Sequence, residues 1–279
     1  MTAGDRNVLT ERLVRREQAL EVIAVAVVTL AAWAWLLAGA GLGMNIADMT
    51  RAALFPHRMP VMTMPGMDAP AAVDWTCFGV IALMWWVMMA AMMVPASAPL
   101  ILLYARTIRR GQRLGQITAG RVPAAWMLGG YLAVWLGFSL AASALQVVLA
   151  AEGLISQMMM WSQSRWLSAG LLALAAGFQL SPLKRTCLAA CRAPVAFLSR
   201  HWQAGRWGAL RMGLRHGAEC LGCCWALMLL LFVGGAMNLF WIAALGGLVL
   251  IERLAPFGPR TLAVTAGILG VWSLATLLV

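Results

Sequence analysis

The stretch His216-Gly-Ala-Glu-Cys-Leu-Gly-Cys-Cys-Trp-Ala-Leu-Met228 gathers thiol, imidazole and carboxylate groups within about three helical turns. At roughly 100° per residue, His216, Glu219, Cys220, Cys223 and Cys224 fall within an arc of about 140° if the segment is helical. Cys223 and Cys224 are adjacent, so only one of them can point directly at a site shared with Cys220. Upstream, Cys187 and Cys191 stand four apart and share a face on a short helix predicted for Leu183 to Arg192, so they can bind one metal together. Cys220, Cys223 and one or both of Cys187 and Cys191, with His216 optional, make a thiolate-rich set suited to Cu(I) or zinc. The alternative is that these cysteines pack as small apolar residues in membrane helices.

Methionine supplies a second set of soft donors. The segment Gly43 to Asp74, broken by Pro56, Pro60, Pro65 and Pro70, holds Met44, Met49, Met59, Met62, Met64 and Met67 together with His57. Methionine fills cores and favours helices, so packing gives no reason for so many in a proline-broken loop. Thioethers suit Cu(I) and have no proton to lose, so such a loop can capture copper on an oxidising side. The competing reading is a loop folded back on the membrane surface. Downstream, Met84, Met88 and Met92 form one i, i+4 stripe, and Met89 with Met93 another about 100° round. Either stripe is packing or a thioether ladder that passes Cu(I) inward. Met158, Met159 and Met160 cannot share one helical face and add to the loop-side count.

The elements that must position these groups are membrane helices. With 62% hydrophobic and 11% charged residues and a mean hydropathy of +0.82, the chain prefers lipid to water. The pattern predicts a short polar segment at residues 1–20 and one polytopic all-α domain over 21–279, with seven spans near 22–42, 76–104, 124–151, 166–180, 219–237, 239–254 and 261–279. The first span reads as an uncleaved helix, since a secretory signal would have a shorter apolar core. Pro95 crowds the carbonyl of Ala91 and predicts a bend there. Gly129, Gly130, Gly137, Ser139 and Ser143 are available for close helix contacts, and Gln146, Gln179 and Asn238 can bridge helices. Besides the Leu183–Arg192 helix, which Pro194 would end, a second interfacial helix is predicted for Trp207 to Gly213.

Loop charges orient the bundle. With the N-terminus in the cytosol, Arg6, Arg12, Arg15, Arg16, Arg106, Arg109, Arg110, Arg113, Arg121, Lys184, Arg185, Arg192, Arg200, Arg206, Arg211, Arg215, Arg253 and Arg260 lie inside, against Arg51, Arg58 and Arg165 outside. The cysteine cluster then faces the cytosol, where thiols stay reduced, and the methionine loops face outward. The net charge of +11 is explained by this bias, which removes the case for nucleic-acid binding. No Walker-type loop appears, no carboxylate lies in mid-span, and no nucleophile with its base is evident, so the chain does not read as an enzyme. Glu219 is accounted for by the dipole at the start of the 219–237 span.

The segments Trp86-Val-Met-Met-Ala-Ala-Met-Met-Val-Pro95, Gln179-Leu-Ser-Pro-Leu-Lys-Arg-Thr-Cys-Leu-Ala-Ala-Cys-Arg-Ala-Pro194, Gly217 to Met228 and Gly235-Ala-Met-Asn238 carry a resemblance. Over roughly Trp75 to Leu254 the chain resembles the bacterial predicted metal-binding integral membrane proteins, long a domain of unknown function, one branch of which comprises membrane copper chaperones supplying a tyrosinase-type enzyme. Phe178 and Ser181 stand where that family carries a tyrosine and a threonine. The resemblance implies metal binding by Cys187, Cys191, Cys220, Cys223 and Cys224, with the paired methionines as further ligands. It also implies a multi-pass protein of the bacterial cytoplasmic membrane. The combined expectation is a chaperone that handles Cu(I), with zinc as the other metal the thiols would accept, serving a partner cuproenzyme or a soluble metal carrier. The alternatives are a metal-free structural or assembly subunit and a thiol-disulfide membrane oxidoreductase.

Overall fold

The computed structural model describes residues 22–39, 75–114, 124–156, 160–254 and 259–278. Among these residues every element is helical apart from one isolated bridge between Ile155 and Ser162. The helices are α1 (Val22–Leu37), α2 (Trp75–Arg113), α3 (Ala125–Ala151), α4 (Arg165–Leu180), α5 (Pro182–Cys191), α6 (Pro194–His201), α7 (Gly205–Met228), α8 (Leu231–Gly234), α9 (Leu239–Leu254) and α10 (Pro259–Leu278). The N-terminal segment, the loop with Met44, Met49, His57, Met59, Met62, Met64 and Met67, and Met158 and Met159 lie outside the described residues.

Among the described residues, four helices are long and apolar enough to cross a membrane: Trp75–Gly111, Ala125–Ala151, Gly205–Gly234 and Arg260–Leu278. The pair α4 and α5, bent by 67° at its break, raises the number to as many as five. The hydropathy pattern predicts seven. The difference lies in α1, a shorter apolar helix, and in α4 and α9, each 16 residues long. At about 1.5 Å per residue, a helix of that length falls short of a hydrocarbon core about 30 Å thick.

One local prediction is corrected. The Trp207–Gly213 stretch is no separate interfacial helix: it is the start of α7, which runs unbroken into the cysteines. Pro194 opens α6 from the first helical turn, where its missing N–H costs nothing, besides following the end of α5. α2 continues as one helix through Pro95 and Pro99. Pro95 deprives the Ala91 carbonyl of its helical donor, and Trp33 of α1 donates its indole N–H to that oxygen at 3.2 Å.

The closest packing joins α3 to α7, and small residues make it so. A Cβ on Gly130 would collide with the Leu210 carbonyl, and one on Gly213 with that of Met127. Gly217, one turn on, would bring a Cβ to 2.9 Å from the Val134 side chain. Gly129 and Gly137, by contrast, face open space, and Ser139 and Ser143 return their hydroxyls to carbonyls of their own helix, at 2.7 Å each. Of the predicted bridging groups, Gln146 accepts the Trp85 N–H at 2.6 Å and so links α3 to α2. Asn238 caps α9, accepting from the Phe240 amide at 3.0 Å after the turn at Gly235, whose φ is 96°.

Candidate metal centre

The elbow between α4 and α5 is written in Ser181-Pro182. The Ser181 hydroxyl accepts the Lys184 amide at 3.1 Å, and Pro182 occupies the first turn, so α4 stops and α5 starts in a new direction. α5 thereby packs on α7 and carries Cys187 and Cys191 to the cysteine face of that helix. Gly222 leaves the room: a Cβ there would stand 3.2 Å from the Cys187 sulfur. Arg253, from the last turn of α9, donates through Nη2 to Cys223 Sγ at 3.4 Å and to Cys191 Sγ at 3.5 Å.

The remaining thiols face elsewhere. Cys220 Sγ lies 3.0 Å from the Tyr131 hydroxyl of α3, which donates to the Met93 carbonyl of α2 at 2.9 Å. The phenol proton is thus committed to Met93, and its oxygen accepts from the Cys220 thiol. Cys223 and Cys224 each reach the Cys220 carbonyl at 3.0 Å, the short-range bonds that helical thiols make. The predicted arc of about 140° therefore divides: Cys223 looks to Cys191 and Arg253, and Cys220 to Tyr131. All three α7 cysteines are buried, Cys187 and Cys191 are half-buried, and Cys77 is exposed and remote in sequence from the rest.

His216 packs its ring between Tyr131 and Phe197, with centroids 5.6 and 5.5 Å away. Both ring nitrogens are buried without a hydrogen-bond partner among the described residues, so the imidazole is set among aromatic rings. Glu219 is not at a helix start. It lies deep in α7 and meets Arg215 one turn back at 3.6 Å, an i, i+4 pair that replaces the dipole account. Met84, Met88, Met89, Met92 and Met93 are all buried in the same apolar core as Cys220, Cys223 and Cys224.

A second polar group holds this arrangement together. Lys184 of α5 meets Glu252 of α9 at 2.6 Å, with the two side chains 0% and 1% exposed. Gln179, the penultimate residue of α4, donates to the other carboxylate oxygen at 2.6 Å. Arg192 donates to the Glu252 backbone carbonyl, by Nε at 2.7 Å and also by Nη2. Both sides of the α4–α5 elbow are thus tied to one residue of α9.

Among the described residues, no three His, Cys, Asp or Glu side chains stand together as a ready metal cage. Two thiols, those of Cys191 and Cys223, do converge on one group, Nη2 of Arg253. Tetrahedral zinc asks for four ligands, whereas the soft ion Cu(I) is satisfied by two thiolates, so this donor set fits copper better than zinc. A family model, PpoB2, described as a copper chaperone, matches residues 82–276. The chain belongs to this family. The match takes in the candidate ligands from Met84 to Cys224, and Arg253 as well, but not the methionines before residue 82. No curated protein and no solved structure matches the chain. For a copper chaperone family, a buried thiol pair without a closed cage is a chemically apt arrangement, because cargo must leave as well as enter.

Two residues of this centre escape the sequence pattern. Tyr131 looks like one more aromatic in an apolar span, and nothing in its neighbours marks its hydroxyl. Arg253 does carry a signal, since Glu252-Arg253 places opposite charges side by side at the end of the apolar run Leu239–Leu254. Counted only as a topogenic charge, it reads as a surface residue, yet it is buried.

Proposed function

We propose that this protein is an integral membrane copper chaperone that carries Cu(I) on Cys191 and Cys223 and hands it to or from a partner cuproenzyme or a soluble carrier. The observation that supports this reading is the convergence of two thiols from separate elements, α5 and α7, at one pole of an apolar bundle, in a chain of a copper chaperone family. The methionines buried along α2 supply soft donors in the same core, and the sequence between α1 and α2 holds more. In this proposal α1, α4 with α5, and α9 complete a seven-span bundle in the bacterial cytoplasmic membrane. The N-terminus and the thiol pole face the cytosol, as the arginine and lysine bias favours. Transfer needs no bond-making beyond ligand exchange, so the protein acts as a carrier and not as an enzyme.

The test is metal analysis of the purified protein. Wild type should bind at least one Cu(I) per chain with a thiolate charge-transfer band. Joint replacement of Cys220, Cys223 and Cys224 by serine, and separately Cys191→Ser, should remove that site. Unchanged stoichiometry in both variants would sink the proposal and leave the cysteines as packing residues of a metal-free subunit.

A further inference from the structure

Arg253 is 6% exposed, and its described hydrogen-bond partners are the sulfurs of Cys191 and Cys223. Its Nε and Nη1 are buried with no partner among the described residues. The carboxylate next to it in sequence, Glu252, is already engaged by Lys184 and Gln179. A guanidinium stays charged under all ordinary conditions, and a buried cation without an anion is costly. The groups facing it become anionic when they bind a metal, because thiols give up their protons to do so. Two thiolates holding a monovalent ion make a unit of net charge −1, which the guanidinium cancels. The same thiolates holding a divalent ion make a neutral unit and leave the guanidinium uncompensated.

We infer that Arg253 is the specificity-determining residue of the thiol pole: its fixed charge favours a soft monovalent metal ion between Cys191 and Cys223 over a divalent ion on the same pair. Arginine offers no lone pair to a metal, so it acts through the sulfurs and through charge. The inference rests on the copper reading above, and it adds the charge class of the cargo and the residue that sets it. It also gives α9, which bears no ligand, a part in cargo choice.

The experiment compares Ag(I), a redox-inert monovalent soft ion, with Cd(II) on purified full-length protein in detergent, with each affinity measured by competition against a chromophoric chelator. Arg253→Met should lower the preference for Ag(I) over Cd(II) by about tenfold or more. Arg253→Lys, which retains the charge, should keep most of the wild-type preference. Arg253→Gln keeps an N–H donor near the sulfurs and loses the charge, so it supplies the same comparison if the methionine variant does not fold. A wild-type preference in either folded neutral variant, in a protein whose metal binding still depends on Cys223, overturns the inference and leaves the copper reading standing. Absence of any binding that depends on Cys191 or Cys223 overturns both.

Discussion

Lys184 of α5 and Arg253 of α9 are both buried cations, but only one of them meets a carboxylate. Lys184 meets a carboxylate at 2.6 Å whose second oxygen takes a bond from Gln179, so charge and hydrogen bonds are both satisfied within the protein. Arg253 meets sulfur alone, at 3.4 and 3.5 Å, with two further nitrogens unpartnered among the described residues. Their anchors are consecutive on α9, where Glu252 and Arg253 point about 100° apart. One aims at the α4–α5 elbow and the other at the thiols. A matched ion pair fixes the scaffold, whereas an unmatched cation marks where an anion, or a metal bound by anionic ligands, belongs.

Breaking the matched pair should have the largest effect. Lys184→Met strands the Glu252 carboxylate in the core and should cost about 3–5 kcal/mol, read by denaturant or thermal unfolding in detergent. Adding Glu252→Leu to the same protein should restore most of that loss, because two apolar groups bury more cheaply than one unpaired charge. If the double variant were no more stable than the single one, the pair would be more than a staple. Gln179→Leu keeps the ion pair but leaves one carboxylate oxygen without its donor, and should cost about 1–3 kcal/mol.

The unmatched cation should matter far less to stability. Arg253→Met orphans no carboxylate, so apo-protein stability should fall by only about 1–2 kcal/mol, from lost bonds to sulfur and lost packing of its stem. Unfolding curves recorded beside those of Lys184→Met decide this. A loss as large as that of the lysine variant would mean that Arg253 already has an anionic partner in the metal-free state, and the contrast between the two cations would collapse.

How far the sequence reveals this arrangement depends on the range over which each feature is specified. Helical content and the start of α2, α3, α4 and α9 follow from apolar runs and turn residues, which act locally. The α5 helix is legible from Ser181-Pro182 and the four-residue spacing of its cysteines. The extent of α7 is not, because Arg206, Arg211 and Arg215 make its first turns look interfacial, and the reason they stay helical is tertiary. Gly213 and Gly217 bring that part of the helix onto α3, at a spacing of four that the sequence does display. The division of the cysteine arc is set by which helix lies opposite each thiol, and so is the role of Glu252 and Arg253. Neither can be read from periodicity, which places residues on a face but does not say what that face meets.

The smallest effect tests where the thiol pole ends. Tyr131→Phe keeps the ring that stacks on His216 and removes only the hydroxyl between Cys220 and Met93. The expected cost is about 1 kcal/mol, the usual net worth of one buried hydrogen bond. Cys220 would lose its acceptor, and if it serves only the contact between α7 and α3, copper stoichiometry and Cu(I) affinity should stay at wild-type values. A change in Cu(I) affinity measured by chelator competition, without a matching change in the unfolding midpoint, would show that the Cys220 sulfur shares the ion held by Cys191 and Cys223. The pole would then be a three-thiolate site of net charge −2 with a monovalent ion bound, and Arg253 would offset only half of it. The charge argument for Arg253 is therefore tightest if the phenol of Tyr131 holds Cys220 away from the metal.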